Sequence, residues 1–419
     1  MTEHFDPLEA RPAAAREAAL MAALPAQVAA AQRTAAFGEL LAGIDAAGIT
    51  SRDALATLPV LRKHELLERQ KAQRAQDPFG GFSAIGWSGL RAPKGARRVF
   101  QSPGPIYEPE GSAPDYWRIG RALFAAGFRA GDLIHNSFSY HLTPAGSMME
   151  TGAHAVGCTV FAGGVGNTEL QLQAMQELRP HGYCGTPSFL RIVFEKAAEA
   201  GIALPSLTKA LVSGEAFPPS LRDWLAERGV QAYQCYATAD VGLVAYETSA
   251  RQGLVLDEGV ILEIVRPGTG DPVPDGEVGE VVITVLHADY PMIRFGTGDL
   301  SAVWPGACPT GRTNTRIKGW LGRADQTAKV RGMFVHPSQV AEVARRHPEV
   351  QRARLVVAGE MANDTMTLQV EVTGTPEGLA ARIADSVRDV TKLRADVVLC
   401  SAGSLPNDGK VIEDARSYK

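Results

Sequence analysis

Residues 133–164 read LIHNSFSYHLTPAGSMMETGAHAVGCTVFAGG. LIHNSFSYH reads as a short strand. TPAGSMMETGAHAVG, small and apolar residues closed by glycine, reads as a helix. CTVFAGG then reads as a second strand. A strand, a helix and a strand within so few residues form a crossover unit, and crossovers join parallel strands. This stretch therefore decides the fold class.

The pattern repeats on both sides. Upstream, YWRIGRALFAAGF (116–128) places Tyr116, Ile119, Leu123 and Ala126 at helical spacing. Downstream, NTELQLQAMQELRPHG is a helix, YCGTP a strand end, PSFLRIVFEKAAEAG a helix and KALVSGEAF a strand. Strands alternating with helices predict an α/β fold around a mainly parallel sheet. Residues 13–75 read as helical with a break near GITSRD. From about residue 253 the pattern changes. GVILEIVRPGTGDPVPDGEVGEVVITVLH is strand, Gly/Pro turn and strand, so a β-rich antiparallel subdomain is expected. After GRADQ a second pattern begins and predicts a small α+β domain of βαββαβ type. The expected division is a large domain over 1–322 and a small one over 323–419.

Composition narrows the function classes. The 419 residues are 45% hydrophobic and 21% charged, with a net charge of −4. Such a chain can bury a large core. Lysine and arginine form no basic block, which argues against a nucleic-acid partner. No run of about 18 apolar residues occurs, and Glu and Arg interrupt the Ala-rich N-terminus, so no membrane span or signal peptide is expected. A cytoplasmic protein is the reading. The five cysteines are scattered without a CxxC pair, so buried thiols are expected rather than disulfides or zinc.

Four stretches carry chemistry. CYATADVG (235–242) ends an apolar strand on Asp240, which suits either a cation or the N-cap of a following helix. PMIRFGTGDL (291–300) brings Asp299 into a tight turn, where a carboxylate could accept from a ribose diol or simply close the turn. Lys410, in PNDGKVI, is either a solvated lysine or one delivered to developing negative charge. VFQSPGPIYEPEG (99–111) is a Pro/Gly turn before a helix, or a phosphate loop with two glutamates and three prolines.

Taken in order, these stretches resemble the adenylate-forming acyl-CoA synthetases, in particular the phenylacetate–CoA ligase branch. FDPLEARP, LPVLRKHEL, GGVGNTELQLQAMQELRPHGYCGTPSFL, SGEAFPPSLRDWLAERGVQAYQCYATADVG, PMIRFGTGDL, GRADQTAKVRGMFVHPSQV and LPNDGKVI carry the resemblance over nearly the whole chain. It implies ATP/AMP, Mg²⁺ and coenzyme A as cofactors and a small, aryl or arylacetic acid as substrate. Ser213, Gly214, Glu215 and Ala216 would lie at adenine, with Tyr236 stacking on it and Ala237 beside it. Asp240 would hold Mg²⁺, Asp299 the ribose hydroxyls, and Arg323 would lie near ribose or phosphate. Asp325 would mark the hinge, and Lys410 would serve adenylation from a mobile domain. Tyr140, His141, Gly185, Thr186 and Pro187 would line the acyl pocket, although His141 equally suits a structural donor. Ser102 and Gly104 fall in the phosphate-loop position. A homodimer is the family-based expectation.

The departures matter. Asp240 replaces the branch's glutamate, Ala239 its hydroxyl residue, Gly296 an arginine, and Thr310 the second cysteine of a Cys-x-Cys pair. The 99–111 loop lacks the hydroxyl-rich core. Two readings therefore stay open: an AMP-forming ligase, and a ligase-like nucleotide or acyl binder with weak adenylation. A variant of the first passes the acyl group to an acceptor other than CoA.

Overall fold

The computed structural model describes residues 4–85, 95–324, 328–331, 333–335, 337–359, 364–374, 376–406 and 410–416. The chain divides into two compact units, one ending at Gly322 and the other beginning at Arg323.

The opening stretch folds as a crossover. Leu133–Asn136 and Thr159–Ala162 are parallel strands, joined by the helix Ala145–Val156. Gly157, at φ 91°, ends that helix in the left-handed conformation that glycine adopts without a Cβ clash. Gly152 lets the helix lie against Gly120–Ala125. A Cβ there would stand 2.7 Å from Ile119 and 2.9 Å from the Gly120 nitrogen.

Five strands continue in parallel, in the order 159–162, 133–136, 182–185, 209–212 and 231–238. The sheet then departs from the sequence expectation. It extends to nine strands, and the last four are antiparallel: 242–247, 254–256, 316–317 and 303–304. The sheet is thus mixed. Gly242–Glu247 is buried throughout, and a continuous apolar run does not separate a buried strand from a buried helix by periodicity.

A second sheet holds the β-rich subdomain. Val260–Val265 and Gly279–Val285 pair antiparallel, as their Gly/Pro turn implies, and Phe295–Ser301 follows on the far side of Gly279–Val285. Leu61–Arg62, inside the stretch read as helical, instead adds a parallel strand to Phe295–Gly296. The remaining helices of that stretch are Ala13–Gln32, Ala35–Leu40, Arg52–Ala56 and Lys63–Gln73. Thr34 and Ser51 cap two of them through side-chain oxygens.

Arg294 ties this region together. Its side chain is buried, and it donates to Glu263 (2.9 and 3.0 Å), Ala56 O (2.8 Å), Gly270 O (2.7 Å) and Leu58 O. A guanidinium removed from water needs such partners.

The second unit has its own core, including Leu355, Val357, Leu368, Val370, Ile383 and Val387. Its strands run in the order 396–400, 365–372, 350–358 and 412–414. The last, Ile412–Asp414, is missing from the sequence reading and pairs parallel to Leu355–Val357. Three residues give too short a period to detect.

Candidate active site

The parallel strands end at Asn136, Ala162, Gly185, Val212 and Thr238. The expected site residues follow four of these ends: Tyr140 and His141, Thr186 and Pro187, Ser213 to Ala216, and Asp240. In open α/β sheets, ligands bind outside the carboxyl ends of the strands. The chain leaves 159–162 at one edge and resumes at 182–185 on the other side of 133–136. This change of direction opens a crevice between Asn136 and Gly185.

At that crevice, the Asn136 side chain donates to Tyr140 Oη (2.8 Å) and to Gly146 O (2.9 Å). Ser137 Oγ donates to Tyr183 Oη (2.6 Å), which donates to Thr186 O (3.1 Å). Gly185 is required here, because a Cβ would stand 2.1 Å from Tyr183 Oη and 2.2 Å from Ser137 Oγ. Thr186 caps the helix Pro187–Glu199. Tyr140 is half-buried and His141 exposed. The Glu215 carboxylate accepts from Ser188 N–H (2.7 Å), and Ser213 Oγ donates to Cys235 O (2.8 Å), tying the 213–216 loop to the helix Pro187–Glu199 and to the strand Gln231–Thr238.

The structure corrects the setting of Asp299. It lies within the strand Phe295–Ser301, not in a tight turn. Tyr236 Oη donates to Asp299 Oδ2 (2.8 Å), and Trp320 Nε1 donates to Asp299 Oδ1 (3.1 Å). Tyr236 Oη also lies 3.1 Å from Thr297 Oγ1. An ionised carboxylate only accepts hydrogen bonds, which is the character a ribose hydroxyl requires of its partner. The sequence reading missed Trp320. Its separation of 21 residues from Asp299 leaves no local signal.

Asp240 is corrected too. No helix follows it; Gly242–Glu247 pairs back antiparallel on the preceding strand. Its carboxylate is buried, and Oδ2 accepts from Lys63 Nζ (2.8 Å). Oδ1 is buried without a partner, an arrangement that suits a cation. Magnesium commonly binds one or two carboxylates together with substrate phosphates, so Asp240 fits as its protein ligand. Among the described residues, no three His, Cys, Asp or Glu side chains gather as a metal site. Lys63 was not singled out in the sequence, because a single lysine is usually solvated.

Residues 98–110 form a hairpin of strands Arg98–Ser102 and Ile106–Glu110, not a turn leading into a long helix. The following helix is only Gly120–Ala125. Glu108 is fully buried; its carboxyl accepts from Ser102 N–H (3.3 Å) and from Ser102 Oγ. Burial, and then the neighbouring Asp240 charge, push the Glu108 pKa well above the usual carboxylate range. Glu110 is buried behind it and accepts from Arg98 (2.8 Å), Trp117 Nε1 (2.9 Å) and Ser147 Oγ (2.5 Å). Both glutamates face inward. Gln101 N–H donates to Leu142 O (2.8 Å), which sets the hairpin against the Tyr140–His141 loop.

Arg323 is the first residue of the second unit, and Lys410 is exposed just before the strand Ile412–Asp414. Asp325 lies outside the described residues. His181 Nδ1 accepts from Leu133 N–H (2.9 Å), a structural role. All five cysteines are free, four of them buried. No helix among the described residues is long and apolar enough to cross a membrane.

A parallel sheet with the candidate residues past its carboxyl ends, followed by a β-rich region holding Asp299, is an arrangement compatible with AMP-binding enzymes. The family model described as AMP-binding enzyme matches residues 127–285. The phenylacetate–coenzyme A ligase of Thermus thermophilus is 31% identical over 350 residues, covering 79% of this chain and 75% of that protein. The phenylacetate–coenzyme A ligase of Aromatoleum evansii is 30% identical over 306 residues, covering 68% and 69%. The chain belongs to the phenylacetate–CoA ligase family of AMP-forming acid–CoA ligases, whose cofactors are ATP/AMP and coenzyme A. A solved 2-hydroxyisobutyryl-CoA ligase, in complex with 2-HIB-AMP and CoA, superposes with a TM-score of 0.83 at 24% identity, over 100% of this chain and 93% of that one. It shares the fold.

Proposed function

We propose that this chain activates a small aryl or arylacetic acid as its acyl-adenylate and passes the acyl group to coenzyme A. The observation that carries the reading is the buried Asp299 carboxylate, held between Tyr236 and Trp320. The ribose hydroxyls would donate to it. The half-buried Tyr236 ring would face adenine, with Ala237 beside it and the Ser213–Gly214–Glu215–Ala216 loop on the other side. Magnesium, held through Asp240 Oδ1, would offset phosphate charge. The acid would enter the crevice beside Tyr140, His141 and Gly185–Thr186–Pro187, where its carboxylate oxygen attacks the α-phosphorus. The α–β bridging bond breaks and pyrophosphate leaves. Lys410 and Arg323 belong to the smaller unit, which in this reading is mobile. Lys410 would stabilise the charge that develops on the phosphates and then withdraw before the thiolate attacks the acyl carbon, breaking its bond to the phosphate oxygen and releasing AMP. Asp325 would mark the hinge and a homodimer would be the assembly.

Thioester formation from a panel of carboxylic acids, with ATP, magnesium and CoA, tests this. An aryl or arylacetic acid turning over fastest supports the reading; turnover confined to aliphatic acids overturns the acid class. The buried donors of Ser102 favour a second reading, a nucleotide binder with weak adenylation. Adenylate without thioester would instead indicate another acceptor.

A further inference from the structure

The hairpin closes one corner of the site, and its chemistry is poorly suited to anions. An oligophosphate is held by convergent N–H groups, hydroxyls and cations. Pro103 and Pro105 have no N–H. The Ser102 N–H and hydroxyl both end on buried Glu108. That leaves Gly104 as the turn's one remaining N–H. The neighbouring cations are engaged: Lys63 Nζ is 2.8 Å from Asp240 Oδ2, and Arg74 donates to Pro105 O (3.0 Å) and lies 5.4 Å from the centre of the Tyr107 ring. Tyr290 Oη is buried without a partner in the same corner, where Asp240 and Glu108 both bear on it. The Asp299 corner, by contrast, presents an acceptor carboxylate, the group that suits a neutral diol.

We propose that the nucleotide site takes adenosine monophosphate esters, AMP and acyl-adenylates, about as tightly as ATP, because the β- and γ-phosphates gain little from the 98–110 hairpin. The inference rests on the adenylate reading above. Its consequence is that pyrophosphate leaves the site readily and re-enters it poorly.

Calorimetric titration of the full chain with AMP and with ATP, both at saturating magnesium, tests the proposal. Dissociation constants within about fivefold of each other support it. ATP binding more than about fivefold tighter overturns this inference and leaves the functional reading standing. Binding of neither nucleotide, or binding that Asp299→Ala does not weaken, overturns both. Two variants probe the cause. Glu108→Gln keeps an acceptor for Ser102 and leaves the ATP-to-AMP ratio within about twofold of wild type. Glu108→Ala releases both Ser102 donors and shifts that ratio toward ATP by about threefold or more. A ratio unchanged in a folded Glu108→Ala protein overturns the assignment to Ser102 and Glu108.

Discussion

Two corners of this site contain buried carboxylates and treat them in opposite ways. Asp299 accepts from Tyr236 on one oxygen and from Trp320 on the other. Glu108 draws in the serine that would otherwise face a ligand. A buried carboxylate thus faces donors from distant segments in one place and closes a hairpin on itself in the other. The difference lies in the donors. A phenol and an indole approach Asp299 from the side, whereas a backbone amide and a hydroxyl of one residue converge on Glu108.

The sharpest way to break this contrast is Asp299→Ala. If the ribose hydroxyls donate to Asp299 as proposed, kcat/KM for thioester formation falls by about 100-fold or more. An effect below about threefold would place the ribose elsewhere. Lys410→Ala comes next. Adenylation slows by about 100-fold, measured as single-turnover acyl-adenylate formation, while AMP affinity stays within about threefold. Loss of AMP binding instead would make Lys410 a nucleotide anchor.

On the hairpin side, Asp115 gives a pH signature. Burial is the main cause that raises its pKa from 3.8 to about 6, against the Gly120 N–H bond that lowers it. The folded state therefore prefers the protonated form. The associated stability is complete below about pH 4 and is lost as pH rises through about 6. Asp115→Asn keeps an acceptor for Gly120 N–H and carries no charge. Denaturant unfolding is expected to show wild type losing about 2–3 kcal/mol relative to Asp115→Asn between pH 4 and pH 7. Parallel pH profiles would show that folding leaves the Asp115 pKa unraised. The smallest effect is Tyr236→Phe, which removes one donor from Asp299 and keeps the ring. Nucleotide affinity falls by about fivefold to tenfold, and a larger loss would mean that the hydroxyl itself touches the ligand.

Much of this protein was legible in order along the chain. The strand–helix alternation of 116–212, the antiparallel change after 253 and the helices of the second unit follow from local periodicity. So does the placement of Tyr140, Thr186, Ser213 and Asp240 just past strand ends. What periodicity could not supply was pairing. Leu61–Arg62 is two residues long and becomes a strand only because Phe295–Gly296 offers it a parallel edge. Gly242–Glu247 is apolar and fully buried, so its direction depends on the turn at Asp240. The sequence by itself determined the family, the elements and the candidate residues, because each rests on spacing within a short window. Only the tertiary structure decided what those residues face. Lys63 meets Asp240 from 177 residues away, Trp320 caps Asp299, and the two hairpin glutamates turn inward. Hydrogen-bond geometry and burial, which fix each role, arise only after distant segments pack.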